Sequence, residues 1–486
     1  MTDGILLTDW KTRLAHKPFV EDDAGVYTYA QSADYIAIVA HSIRRWVPGD
    51  QTIVPMLLSN SAEFVLILLG IMAAGKIPYP IQPTCKLQEY QGKTIGLNCQ
   101  AAICDDSSFD LIVNARVKPI TLHLIQTVVT RGSDFEPINR IAGDAKLMCA
   151  TSGTTALPKR IVLQFTRMLQ NAKAHAKSLG LSHNDRILSC LPFYHVFTLS
   201  AHIGSVLGLE ATFIAGRDSL PQTISHMIQT YAVSYTSFVP AVLDAIVRNF
   251  EYELFHSSNL KRISIGSAPV SIKQLKQYRD FFVNQHIYVT YGLSEAGPRV
   301  STLAVDQVDE SLWDTVGLPL DQTSVRIADP NQEGIGELQV KSPWQMLGYY
   351  GESVANVWEA GWLKTGDLAT LTADGFIRLQ GRKKDLIISG GVNISPAEIE
   401  AALYEIPWVL EAAVLAVPDR KRGEVPHAFV VHNGNGIETE TLKRLRDRLD
   451  QIKVPKRVHF VDVIPKNATG KVDRAALMKS CLNCIS

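Results

Sequence analysis

Thr52-Ile-Val-Pro-Met-Leu-Leu58, Phe64-Val-Leu-Ile-Leu-Leu-Gly-Ile-Met-Ala-Ala-Gly75 and Ala101-Ala-Ile-Cys104 together decide the fold. The first and last are short apolar runs of strand length. The middle one, read as a helix from Glu63 to Gly75, is apolar on every side, which marks a buried helix. Strand, helix and strand in succession are the βαβ signature of a parallel sheet covered by helices. Bilayer spanning takes roughly 20 apolar residues, so this run predicts a core helix and no transmembrane segment.

The same texture continues downstream. Thr166 to Leu179 reads as an amphipathic helix, while Arg186–Leu191, Ser234–Phe238 and Arg262–Ile265 read as strands. Two related α/β lobes are expected. From about 311 to 380 the pattern changes to short, closely spaced strands: Gly336–Lys341, Gly366–Leu371 and Gly375–Leu379 after the turn pair Asp374-Gly375. A small β-barrel or sandwich is expected there. Past Lys384 the chain returns to α+β character, with a helix over Pro396–Tyr404, a strand over Glu411–Val417 and a helix over Thr441–Leu449. The expected architecture is α/β. A large N-terminal domain (residues 1–383) holds two α/β lobes and the β-barrel subdomain, followed by a small mobile α+β C-terminal domain (384–486).

Composition narrows the function classes. A chain of 486 residues exceeds one ordinary core. The 48 basic and 48 acidic residues balance, so no global field is available to hold nucleic acid. The N-terminus has neither the basic start nor the apolar stretch of a secretory signal, and seven scattered cysteines suit a reducing compartment. A cytoplasmic location is the expectation. Cys481 and Cys484 form a C-x-x-C without a second half-site, in what reads as a frayed tail.

The chemistry concentrates first in Thr151-Ser-Gly-Thr-Thr-Ala-Leu-Pro-Lys159. Hydroxyls and accessible amides can wrap phosphate oxygens, and Lys159 adds charge. The Walker A spacing is absent, and taken alone such a cluster is an ordinary solvated turn.

This segment resembles the phosphate-binding signature of the adenylate-forming superfamily, which includes acyl- and aryl-CoA synthetases, luciferases and peptide-synthetase adenylation domains. Further matches follow in that family's order. They are Leu191-Pro-Phe-Tyr-His-Val-Phe197, Gly266-Ser-Ala-Pro269, Tyr291-Gly-Leu-Ser-Glu295, Gly336-Glu-Leu338, Trp362-Leu-Lys-Thr-Gly-Asp-Leu368, Gly381–Asn393 and Pro465-Lys-Asn-Ala-Thr-Gly-Lys471.

The resemblance implies roles residue by residue. Thr151, Ser152, Gly153, Thr154, Thr155 and Lys159 would hold ATP phosphates. Ser267, Ala268, Pro269, Tyr291 and Gly292 would surround adenine, with Tyr291 stacked on the base, and Asp367 would accept the ribose hydroxyls with help from Arg382. Glu295 would bind Mg²⁺, a cation that takes oxygen ligands and substrate phosphates, and Ser294 would donate to the α-phosphate. Lys471 would bridge the attacking carboxylate and the α-phosphate, two anions that a mobile cation brings together. His195 would gate an acyl pocket shared with Val196, Val239 and Gly266. Val196 lies near where amino-acid-activating domains carry an Asp, which argues against an α-amino acid substrate. Gly390 and Gly391 would border a thiol tunnel, and Lys384 would be the hinge about which the C-terminal domain rotates.

The implied activity is ATP-dependent activation of a carboxylic acid to an acyl-adenylate, then transfer to the thiol of coenzyme A. The alternatives are an adenylation ligase loading an acyl carrier protein, and a non-catalytic nucleotide- or acyl-binding paralogue. The second would be indicated by loss of Glu295, Asp367 or Lys471, and all three are present. Arg420-Lys421-Arg422 suits either acidic acceptor. Ala156, Arg160 and Ser267 depart from positions where the family more usually has glycine.

Overall fold

The apolar run is a helix over Ala62–Ala73, capped by the Ser61 hydroxyl, which accepts from Phe64 N at 3.2 Å. Every residue from Phe64 to Ala73 is buried, as a helix without a polar face must be. It packs on the longer helix Tyr29–Trp46. Their approach is close at Gly70, where a Cβ would stand 2.4 Å from Val39 Cγ1. The computed structural model describes residues 4–131, 138–150, 159–250, 255, 258–352, 357–434, 437–466 and 472–485, with the backbone alone over 480–485.

That helix covers a four-stranded parallel sheet in the order Ile77–Pro80, Ile53–Leu57, Ala101–Cys104, Lys118–Thr121. A second, nine-stranded sheet is the larger frame. From one edge it runs Leu318–Pro319, Ser301–Ala304, His286–Tyr291, Arg262–Ile265, Tyr235–Phe238, Arg186–Ser189, Thr212–Ala215, Pro18–Asp22 and Gly25–Thr28. Its six central strands are parallel and its margins antiparallel. The two expected lobes are therefore present as sheets of unequal size. A three-stranded antiparallel sheet, Gly348–Tyr349, Arg160–Gln164 and Lys146–Ala150, brings the chain after the phosphate-loop segment beside residues near 349.

The β-rich stretch forms an antiparallel sheet of Ser324–Ala328, Gly336–Lys341, Trp362–Leu371, Trp358–Glu359 and Ile377–Arg382. Among the described residues no pairing closes it into a barrel. It packs instead on Tyr291, Ala296 and Val300 through Leu338, Val340, Leu363 and Ile377, so one face is already covered and closure is not needed to bury it. The C-terminal part has its own core around Ile387, Ile399, Leu403, Val414 and Val430. Its sheet comprises Val392–Ile394, Ile387–Ser389, Gly423–His432, Val409–Asp419 and Arg457–Phe460, with helices Pro396–Tyr404 and Glu438–Arg446. The last helix, Arg474–Ile485, continues through Cys481 and Cys484, so the expected frayed tail is instead helical in its backbone. Among the described residues no helix is long and apolar enough to cross a membrane.

Candidate active site

Tyr291 ends a central strand of the nine-stranded sheet, while Asp367 and Arg382 face each other across paired strands of the β-rich sheet. The packing of one sheet on the other brings the three together. The Tyr291 hydroxyl donates to Asp367 Oδ2 at 2.5 Å, and Arg382 Nε lies 2.7 Å from Asp367 Oδ1. Burial first, and then the Asp367 charge, push the Tyr291 phenol well above its ordinary range, which keeps it a donor. For Arg382 burial pulls the other way, but the Asp367 carboxylate outweighs it and the guanidinium is held above its usual value. An ionised carboxylate has about four acceptor positions, so Asp367 keeps capacity for two further donors. Beside this group a cleft of about 360 Å³ is lined by Thr365, Gly366, Arg382, Lys383 and Lys384.

Glu295 sits in the short 3₁₀ turn Ser294–Ala296 directly after that strand. The Tyr349 hydroxyl donates to Glu295 Oε1 at 2.8 Å, and Met346 N donates to the Glu295 carbonyl at 3.0 Å. The Lys159 ammonium stands over the Tyr349 ring, 4.5 Å from its centroid. Lys159, Tyr349 and Glu295 thus form one ladder, built by the pairing of Ile161 with Tyr349. Burial and then the Glu295 charge raise the Tyr349 phenol, so it too remains a donor. Tyr349 is absent from the sequence expectations. Its signal is a strand pairing between distant segments, which leaves no local trace.

No group of three or more His, Cys, Asp and Glu that could cage a metal occurs among the described residues. Mg²⁺ does not need one. It is commonly held by one or two carboxylates together with substrate phosphates, and a single carboxylate such as Glu295, with one oxygen committed to Tyr349, fits that pattern.

His195, Val196, Val239 and Gly266 were expected to form the acyl side. His195 is half-buried and its ring lies 4.4 Å from that of Tyr194. Val196 packs against the main core and Val239 is buried at the start of helix Pro240–Asn249. Gly266 admits no side chain: a Cβ there would meet Thr290 Oγ1 at 2.7 Å and the Phe197 ring at 3.0 Å. An unforeseen residue, Arg299, has its guanidinium 3.8 Å from the centroid of the Phe197 ring that approaches Gly266.

Ser267 adopts φ +68, the left-handed region that favours glycine, which gives a physical reason why glycine would suit this position. Gly292 is fixed by close approach, since a Cβ would stand 2.0 Å from the Pro298 carbonyl oxygen. Ala268 is half-buried and Pro269 exposed in the same loop. Lys384 lies exposed in the single turn Lys383–Asp385 that follows Arg382. Gly390 and Gly391, with φ of +58 and +84, form the two-residue turn between Ile387–Ser389 and Val392–Ile394. A Cβ at either would meet nothing within 4 Å, so tight-turn geometry accounts for this pair. Thr151, Ser152, Gly153, Thr154, Thr155 and Lys471 lie outside the described residues.

Residues 7–350 match the AMP-binding enzyme family and residues 398–471 match the AMP-binding enzyme C-terminal domain. The chain is 34% identical over 341 residues to a 2-succinylbenzoate–CoA ligase of Bacillus licheniformis, covering 69% of this chain and 70% of that one. It is 33% identical over 438 residues to the enzyme of the same description from Bacillus cereus strain AH820, covering 87% of each. Among solved structures, o-succinylbenzoate CoA synthetase from Bacillus subtilis, in complex with its acyl-adenylate intermediate, superposes with a TM-score of 0.84 at 26% identity over 97% of both chains. ATP-bound MatB from Rhodopseudomonas palustris gives 0.88 at 23% identity over 99% of this chain and 100% of that one, a likeness of fold.

Proposed function

The chain belongs to the AMP-binding enzyme family, and from that membership we infer an ATP-dependent acid–CoA ligase that activates its carboxylic acid as an acyl-adenylate. The observation that carries the reading is the convergence of Tyr291, Asp367 and Arg382, drawn from two different sheets, on one carboxylate with acceptor capacity to spare. Asp367 would take the ribose hydroxyls. Tyr291, held by its hydroxyl, would present its ring to adenine. Glu295, fixed by Tyr349, would hold Mg²⁺, which when bound neutralises the departing pyrophosphate.

Lys159 and Lys471 would supply two cations of the chemistry. The first would meet the terminal phosphates at the end of the phosphate loop. The second would draw the acid's carboxylate onto the α-phosphate. The division of the chain near Lys384 then separates adenylation from thiol attack, with the C-terminal part turning about that residue between the two steps. The 2-succinylbenzoate–CoA ligases named above favour coenzyme A over a carrier protein as acceptor.

A panel of carboxylic acids, scored by pyrophosphate release with and without CoA, tests the reading. At least one acid should release pyrophosphate only when ATP is present and yield a thioester only when CoA is added. Release from no acid would overturn it.

A further inference from the structure

Arg299 is 4% exposed, and arginine is almost never so buried without a partner. Its backbone is clamped by Asn171, which accepts from Arg299 N at 2.8 Å and donates to the Arg299 carbonyl at 2.8 Å. The side chain is treated differently. Nε and Nη2 meet no acceptor among the described residues. Burial lowers the guanidinium to about 10, and the Tyr235 hydroxyl raises it in part, so it remains a cation at neutral pH; among the described residues no carboxylate pairs with it.

The surroundings are polar but uncharged. His175 has both ring nitrogens unpartnered among the described residues, and His202 has Nδ1 2.9 Å from Ser189 Oγ and Nε2 unpartnered. Burial, then the Arg299 charge, hold both imidazoles far below their ordinary range, and therefore neutral. The Tyr235 hydroxyl is shared with Ser237 at 2.8 Å and Ser264 at 2.9 Å. A desolvated, unpaired charge costs several kcal/mol. Stacking on Phe197 offsets only part of that cost, which leaves the cation under-compensated in the protein alone.

The place of this cation gives its partner. The Phe197 ring that it covers is the same ring that closes over Gly266 on the acyl side. We propose that Arg299 is the subsite for a second carboxylate of the acid, so that this ligase activates a dicarboxylic acid by one end and holds the other end at Arg299. The proposal rests on the acid-activating reading above. The guanidinium fork suits a carboxylate, and neutral His175 and His202 can add N–H donors without adding charge. A monocarboxylic acid would leave the same cation unpaired.

The test uses matched acids differing only in the second carboxylate: 2-succinylbenzoate against 3-benzoylpropionate, and glutarate against butyrate, each scored by pyrophosphate release. The wild-type protein should favour the dicarboxylate of at least one pair by about 100-fold in kcat/KM, the size expected when a buried charge gains its partner. Arg299→Met should erase that preference while leaving the KM for ATP in place, and Arg299→Lys should restore part of it. The wild-type comparison stands even if Arg299→Met does not fold. Turnover of monocarboxylic acids alone, equal rates within every pair, or an undiminished preference in Arg299→Met would overturn the proposal. Pyrophosphate from no acid of either kind would instead overturn the ligase reading beneath it.

Discussion

The two proposed ends of the site treat buried charge in opposite ways. At the proposed nucleotide end Asp367 is buried with a donor on each oxygen, Tyr291 on one and Arg382 on the other. At the proposed acyl end Arg299 is buried with two nitrogens that meet no acceptor among the described residues. A site built for one fixed ligand can be completed by the protein itself. A site that must distinguish one acid from another gains by leaving a charge for the substrate to satisfy, because an acid that fails to do so pays the desolvation cost in full.

Four substitutions or conditions sharpen this contrast. The largest effect should come from Lys471→Ala, which removes the cation proposed to act only while the adenylate forms. Adenylate formation should fall by roughly 10²–10³-fold, the loss for one transition-state donor, while thioester formation from preformed acyl-adenylate stays near normal. Equal loss in both half-reactions, measured by quench-flow, would assign Lys471 a structural part. Next is Asp367→Ala, which strands Arg382 and Tyr291 together. It also removes the proposed acceptor of the ribose hydroxyls; a hydrogen bond to a charged group is worth about 1.5–3 kcal/mol, so kcat/KM for ATP should fall by at least about tenfold. The KM for the acid should hardly move, and a larger effect on the acid than on ATP would break the division of the site into two ends.

Tyr349→Phe is milder. It deletes one hydrogen bond to a carboxylate, worth about 1.5–3 kcal/mol, and should weaken the response to Mg²⁺ by roughly tenfold or more without changing acid preference. An unchanged Mg²⁺ titration would show that Glu295 needs no such support. The last test concerns stability and pH, and should leave activity at neutral pH least affected. Burial holds His202 at about 3 and His175 well below its ordinary value, whereas in the unfolded chain both protonate near 6.5. Below that value the unfolded state binds more protons, so stability should fall as pH drops from about 6.5 toward 3. Each histidine contributes a slope of up to about 1.4 kcal/mol per pH unit. His427, also lowered, to about 4, acts in the same direction. Urea unfolding of His202→Gln across that window should show a shallower slope, and an unchanged one would mean that His202 is not buried neutral.

Legibility in the sequence follows the same line. The helix Ala62–Ala73 and the strand Ala101–Cys104 were visible because continuous apolar runs report burial directly. Tyr291, Asp367 and Arg382 were visible because they lie in short ordered motifs. The barrel expectation failed because strand spacing does not say what covers a sheet; here the Tyr291 and Val300 region does. Tyr349 and Arg299 were missed because each acquires its place through a contact distant in sequence, with Ile161 and Asn171 respectively. A trace of the setting of Arg299 was nonetheless present. Asn171 and His175 fall one turn apart on the buried face of helix Phe165–Ser178, at positions the helical period reserves for apolar side chains.

The central claim is that the acid's carboxylate attacks the α-phosphate of ATP. An acid labelled with ¹⁸O in its carboxylate, turned over with ATP and CoA, traces that bond. Attack on the α-phosphate followed by thiol displacement leaves one labelled oxygen in AMP, with pyrophosphate unlabelled and thioester formed. Recovery of the label in inorganic phosphate, with ADP as the nucleotide product, would contradict the account.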